Sequence, residues 1–228
     1  MIEAIFLDAG GVIIDESHFE PIKAEIITQI LSQYATYTIS DYWNDAEEAV
    51  FRFVSSVYEY VLFKHIHDLN EFKSALQLFK SKWNDLGVPF KVMPFLPELL
   101  ERLSVKYRFG ILGQYGNDFK SFLQCNNLLQ YFSFQETQEA YLITKPDPRY
   151  FEAIVKSANC NPTNCIMVGD RIDKDITPAN VLGMKTIRIK TGLHKNQEPR
   201  IPLEVPGLTI ASLNEITDLA INKLGYCI

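Results

Sequence analysis

The chain has 228 residues, 47% of them hydrophobic and 22% charged, with a net charge of −6. That composition is ordinary for a soluble globular protein, and the acidic balance argues against nucleic acid as the main partner. No apolar run approaches the ~20 residues of a membrane span, so a membrane role is not expected either.

The N-terminus enters strand-like sequence at once, without a basic leader, so no signal peptide is expected. Cys125, Cys160, Cys165 and Cys227 show no metal-type spacing. Reduced and mostly buried thiols in a cytoplasmic protein are the expectation.

In chain order, Ala4-Ile5-Phe6-Leu7 runs straight into Asp8, followed by Ala9-Gly10-Gly11. An apolar run bounded by glycine reads as a buried parallel strand. Asp8 then stands at its carboxyl end, where open α/β sheets bind ligands. The plainer reading is an acid that opens a turn. Ser17 and Glu20 have the form of a capping box, and Ile22, Ile26, Ile27, Ile30 and Leu31 follow at helical spacing. A second helix is expected from an N-cap at Ser40 to about Phe63, and a third from near Asn70 to Gly87.

Residues 16–91 therefore read as a helical block. Its aromatic residues, among them Tyr42, Trp43, Phe51, Phe63 and Phe79, form either a small bundle core or a substrate or dimer surface. His65 and His67 read as a solvated turn rather than a metal pair. A helix over Pro94–Ser104 leads to a strand at Phe109–Leu112 that ends in Gly113-Gln114. A helix from Asn117 to about Leu129, a strand at Phe132–Phe134 and a helix from Pro148 to about Ser157 follow.

Cys165–Val168 is a second apolar run, ending in Gly169-Asp170 with Asp173 and Asp175 close behind. Strands at Thr186–Ile189 and Leu208–Ile210 precede a capping box, Ser212 with Glu215, before the last helix. Strands alternating with helices predict a doubly wound, mostly parallel sheet.

Two strand-end carboxylates, Asp8 and Asp170, can meet at one sheet edge and hold a hard divalent cation through oxygen. Lys145, in Ile143-Thr144-Lys145-Pro146-Asp147-Pro148-Arg149-Tyr150-Phe151, can hold a phosphate as a point charge. A nucleophilic carboxylate, a cation and a lysine suit phosphoryl transfer through an aspartyl-phosphate.

These three segments, in this order, closely resemble the haloacid dehalogenase-like (HAD) hydrolase superfamily. The Lys-Pro-Asp-Pro run followed by an aromatic pair is most similar to the subfamilies with a helical cap. The resemblance implies a Rossmann-like core formed by 1–15 and 92–228 and an all-helical cap formed by 16–91. It implies a Mg²⁺-dependent phosphatase acting on a small phosphorylated metabolite, as a monomer or homodimer. Asp8 matches the nucleophile and Lys145 the phosphate-binding lysine. Asp8, the Gly10 carbonyl, Asp170 and Asp175 match the metal site, and Ala9, Gly10, Gly113, Gln114 and Lys145 the phosphate contacts.

The sequence departs from the family pattern twice. Gly10 stands where the family has an acid–base aspartate, and Gly113 where it has a serine or threonine. Asp15, at the entry to the cap, reads equally as a hinge or substrate contact and as a turn acid. The spacing favours Asp175 over Asp173 as the site acid, with Asp173 a solvated neighbour and Arg171 able to pair with either. The alternative function is a catalytically weak or silent protein that binds a phosphorylated ligand or a protein partner. Intact Asp170 and Asp175 speak against carbon–halogen chemistry.

Overall fold

The computed structural model describes residues 1–113, 117–134 and 143–226. The chain forms two compact units, Met1–Asp15 with Phe90–Ile228, and Glu16–Pro89. The first unit is built on a six-stranded, all-parallel sheet: β1 (Ala4–Leu7), β2 (Arg108–Ile111), β3 (Phe132–Phe134), β4 (Cys165–Gly169), β5 (Lys185–Ile189) and β6 (Leu208–Ile210). Their spatial order is β3-β2-β1-β4-β5-β6. The chain moves outward from β1 through β2 to β3, then crosses back to β4 on the other side of β1. That reversal is a topological switch point, the place where such sheets bind ligands.

Both central strands are fully buried, which explains their unbroken apolar runs. Phe6 and Met167 pack with Tyr150, Phe151, Ile154 and Val155 of α7 (Pro148–Ser157) in one core cluster. Each such side chain contributes about 1.5–3 kcal/mol by leaving water. Asp147 caps α7 by accepting the Arg149 N–H at 2.9 Å.

The second unit holds four helices, α1 (Phe19–Leu31), α2 (Ile39–Phe51), α3 (Val57–His65) and α4 (Leu69–Leu86). α1 packs against the other three and buries Ala24, Ile27, Ile30 and Leu31. Several sequence expectations are corrected here. The Ser17–Glu20 capping box does not form. His18 is the N-cap, and Glu20 bonds Lys23 at 2.7 Å instead. The expected helix from Ser40 to Phe63 is two helices, because Phe53 adopts a left-handed φ of 57° that breaks the run. Thr38, with Asp41, makes the capping box that starts the first, and Ser56 caps the second. Tyr42 and Phe79 are buried, but Phe51 and Phe63 are exposed, so the bundle core uses only part of the aromatic set. His65 is not a solvated turn residue, since its Nε2 lies 2.6 Å from Asp45 Oδ2.

In the first unit, the helix expected from Asn117 stops at Cys125 (α6, Asn117–Cys125), and Leu129–Tyr131 forms a separate 3₁₀ turn. Among the described residues the unit's other α-helices are α5 (Leu96–Leu103), α8 (Thr177–Val181) and α9 (Asp218–Tyr226). The Ser212–Glu215 capping box forms, on a 3₁₀ turn that precedes α9. No helix among the described residues is long and apolar enough to cross a membrane.

Candidate active site

The register of the sheet builds the site. Leu7 pairs with Val168 on one side and Ile111 on the other. Asp8, Gly169-Asp170 and Leu112-Gly113 therefore leave their strands at the same level. The Asp8 N–H donates to the Val168 carbonyl at 2.9 Å, and the Leu112 N–H to Leu7. Beyond Asp8 the chain turns tightly, with the Ala9 carbonyl accepting from Ile13 at 3.0 Å and Ile14 at 2.8 Å.

Gly11 is required in this turn. Its φ is +70°, and a Cβ would lie 2.9 Å from Asp170 Cγ. Thr191 donates to its carbonyl at 2.9 Å. After the turn, Ile14 pairs antiparallel with Val92, and the Asp15 N–H donates to Lys91 O at 2.9 Å. The backbone of Asp15 thus ties the outgoing chain to the returning one.

Asp175 arrives from the acid-rich loop. Ile172–Ile176 is a π-helical turn, with the Ile176 N–H reaching the Arg171 carbonyl at 3.2 Å, and such turns recur at functional sites. Gly169 makes room for it, since a Cβ there would come within 2.3 Å of the Asp175 Cβ. The Arg171 N–H holds Asp175 Oδ2 at 3.0 Å.

Lys145 closes the constellation. Its Nζ donates to Asp8 Oδ1 and to Asp175 Oδ1, both at 2.6 Å. Its side chain is 4% exposed, that of Asp175 1%, and that of Asp8 16%. Asp8, Asp170 and Asp175 bring one carboxylate oxygen each within 4.8 Å of one another. Three carboxylates thus cluster together, and one ammonium bonds two of them. Burial, and then the charge of Asp8, push Asp175 up to about 6 despite the bond from Lys145. Burial draws Lys145 down, but Asp175 and Asp8 outweigh it and hold the ammonium above its ordinary value.

An all-oxygen donor set carrying more negative charge than its lysine neutralises fits a hard divalent cation such as Mg²⁺.

Asp173 is corrected. It is not solvated: Arg171 grips it through Nε at 3.1 Å and Nη2 at 2.7 Å, and Gln197 Nε2 donates to it at 3.0 Å. Arg171 serves both acids, Asp173 with its side chain and Asp175 with its N–H.

Gly113 is crowded as well as lacking a hydroxyl. A Cβ there would lie 2.8 Å from Ala9 N and 2.9 Å from Asp8 Oδ1. Tyr150 donates to the Gly113 carbonyl at 3.2 Å. Gln114 lies outside the described residues. Sequence reasoning did not single out Gln197 or Thr191, because both reach the site from loops that carry no local motif.

These features define an α/β protein with an acid–lysine site at its switch point. A family described as HAD-hydrolase-like matches residues 142–216. A glyceraldehyde 3-phosphate phosphatase of Methanopyrus kandleri is 38% identical over 77 residues, which is 34% of this chain and 33% of that protein. The chain thus spans about a third of the length of the curated relative it matches.

Among solved structures, a predicted phosphoglycolate phosphatase from Haemophilus somnus superimposes with a TM-score of 0.69 at 18% identity, covering 97% of this chain and 98% of that one. The HAD-hydrolase YfnB of Bacillus subtilis, bound to magnesium, superimposes with a TM-score of 0.65 at 14% identity, covering 96% and 98%. At these identities the structural likeness speaks for the fold. Residues 142–216 are thus similar to HAD-like hydrolases, and the chain shares its fold with solved structures of that superfamily.

Proposed function

We propose that the chain hydrolyses phosphate monoesters of small metabolites, with Asp8 accepting the phosphoryl group and Mg²⁺ held by Asp8, the Gly10 carbonyl, Asp170 and Asp175. The observation that carries this reading is Lys145 Nζ at 2.6 Å from both Asp8 and Asp175. Such a lysine offers positive charge where a phosphate would arrive. The phosphatase names of relatives such as that of Methanopyrus kandleri support phosphate-ester chemistry. The matched family segment includes Lys145, Asp170 and Asp175.

In the forward step an Asp8 carboxylate oxygen bonds to phosphorus, and the bond from phosphorus to the ester oxygen breaks. In the second step water attacks the same phosphorus, releasing inorganic phosphate and restoring Asp8. When bound, Mg²⁺ supplies charge compensation for the transferring oxygens. Lys145 holds the Asp8 carboxylate in place and shares that load. Gly10 supplies no carboxyl to protonate the leaving oxygen, and Gly113 no hydroxyl to the phosphate. The reading is therefore a phosphatase best suited to leaving groups that depart as weak bases. The chemistry belongs to the sheet unit, and the helical unit, acting as the cap domain, takes the choice of substrate.

A panel of aryl, acyl and alkyl phosphates assayed with and without Mg²⁺ tests the proposal. Mg²⁺-dependent release of phosphate, fastest from aryl and acyl phosphates, is expected. Binding of phosphate analogues without turnover of any ester would favour the silent binder.

A further inference from the structure

β5 carries one buried charge. Arg188 is 1% exposed, and its neighbours Ile187 and Ile189 belong to the apolar core. A buried guanidinium is costly unless its donors are satisfied. Here backbone carbonyls satisfy them. Nη1 donates to Gln197 O at 2.7 Å, and Nη2 to His194 O at 3.0 Å and Lys195 O at 3.3 Å. Nε approaches the carbonyl of Asp170 at 3.4 Å.

The turn that Arg188 grips acts in its turn on the acid loop. Gln197 is also 1% exposed. Its Oε1 accepts the Ile172 N–H at 2.8 Å, and its Nε2 donates to Asp173 Oδ1 at 3.0 Å. Ile172 opens the π-helical turn, so its N–H is one of those that a helix start cannot satisfy from within. Gln197 takes that donor and fixes where the turn begins. Arg188, by way of Gln197 and the Asp170 carbonyl, thus bonds to both ends of the short stretch Asp170–Ile172. Three residues further on stands Asp175.

We propose that Arg188 and Gln197 are positioning residues that clamp the loop Asp170–Asp175 and set its carboxylates at the spacing a divalent cation needs. The proposal rests on the metal site of the preceding section. Neither side chain is one of the three cation-facing acids; Arg188 acts through backbone carbonyls, and Gln197 through the Ile172 N–H and the Asp173 carboxylate. Partners of this kind behind metal ligands typically change metal affinity by about 10–100-fold.

The test is calorimetric titration of Mg²⁺ into the wild type, Gln197→Met and Arg188→Lys, with thermal melting of each metal-free protein alongside. Gln197→Met keeps the side chain's length and removes both of its bonds. Arg188→Lys keeps the charge and loses the forked reach to several carbonyls.

The expected result is a Kd for Mg²⁺ raised at least about tenfold in both variants. A purely structural pair would lower the melting temperature and leave the Kd of the folded protein unchanged, and that outcome overturns the clamp while sparing the metal site. No Mg²⁺ binding by the wild type overturns the metal site itself, and the clamp with it. Should Gln197→Met fail to fold, Arg188→Lys decides alone. Loss of folding in both assigns the pair to stability only and overturns the proposal.

Discussion

Lys64 Nζ in the helical unit lies 2.6 Å from Asp45 Oδ1 and 2.6 Å from Glu48 Oε2. Lys145 Nζ in the sheet unit lies 2.6 Å from Asp8 Oδ1 and 2.6 Å from Asp175 Oδ1. The geometry is the same and the electrostatic result is opposite. Burial raises Asp45, but bonds from Lys64, His65 and Tyr37 outweigh it and hold the carboxyl low. Bonds from Lys64, Tyr60 and Arg52 pull Glu48 down to about 2. Asp175 instead rises to about 6.

Two differences account for this. The Lys64 side chain is 35% exposed and surrounded by additional donors, whereas Lys145 is 4% exposed and its two carboxylate partners lie beside a third, Asp170, with one oxygen of each within 4.8 Å of the others. The helical cluster is complete in itself and reads as structure. The sheet cluster is short of positive charge and reads as a site.

The largest expected effect comes from breaking each lysine in turn. Lys145→Met should lower Mg²⁺-dependent turnover of p-nitrophenyl phosphate by ~10²–10³-fold, the usual loss for a stabilising group at a transferring centre. Lys64→Met should lower the melting temperature by a few degrees and leave turnover per folded molecule unchanged. Similar turnover losses in both variants would erase the contrast.

Next in size is the leaving-group dependence. A general acid contributes ~10²–10⁴-fold, and Gly10 supplies none. Wild type should turn over p-nitrophenyl phosphate at least ~10²-fold faster than a simple alkyl phosphate, and Gly10→Asp should narrow that ratio. Equal rates for the two esters in the wild type would show that another residue delivers the proton.

Gly113→Ser restores a hydroxyl but places its Cβ 2.8 Å from Ala9 N. Overpacking of this kind costs about 1–3 kcal/mol. Differential scanning calorimetry should show a melting temperature lower by about 2–12 °C, at 2–4 °C per kcal/mol, and phosphatase assays no gain in rate. A faster and equally stable variant would mean that the loop yields.

The smallest effect is on acid stability. The folded values of Asp45 and Glu48 are depressed, so their contribution is present above the ordinary carboxylate range and is lost as pH falls through the depressed folded values, about 2 for Glu48. Circular dichroism melts between those limits should fall less steeply with pH in Asp45→Asn than in wild type. Parallel slopes would mean that the helical cluster adds no acid sensitivity.

The residues of the sheet site were legible because each ends a recognisable run. Asp8 and Asp170 follow fully buried strands, and Lys145 precedes a proline-started helix. What was not legible comes through the third dimension. Arg188 gave one clue, a charge inside an apolar strand, but Gln197 gave none, since its partners Ile172 and Asp173 lie more than 20 residues upstream. The helical unit misled at Phe53, where a non-glycine residue takes a left-handed conformation that no propensity signals. Asp173 looked solvated because spacing cannot show that Arg171 and Gln197 bond it.

The central claim is that the under-neutralised cluster makes Asp8 the phosphoryl acceptor. The most direct measurement is acid-quenched mass spectrometry of the protein after exposure to acetyl phosphate and Mg²⁺. The expected result is a phosphoryl group on the peptide containing Asp8, present in wild type, reduced in Lys145→Met and absent in Asp8→Asn. An equal adduct in Asp8→Asn, or release of phosphate by that variant at the wild-type rate, would contradict the account.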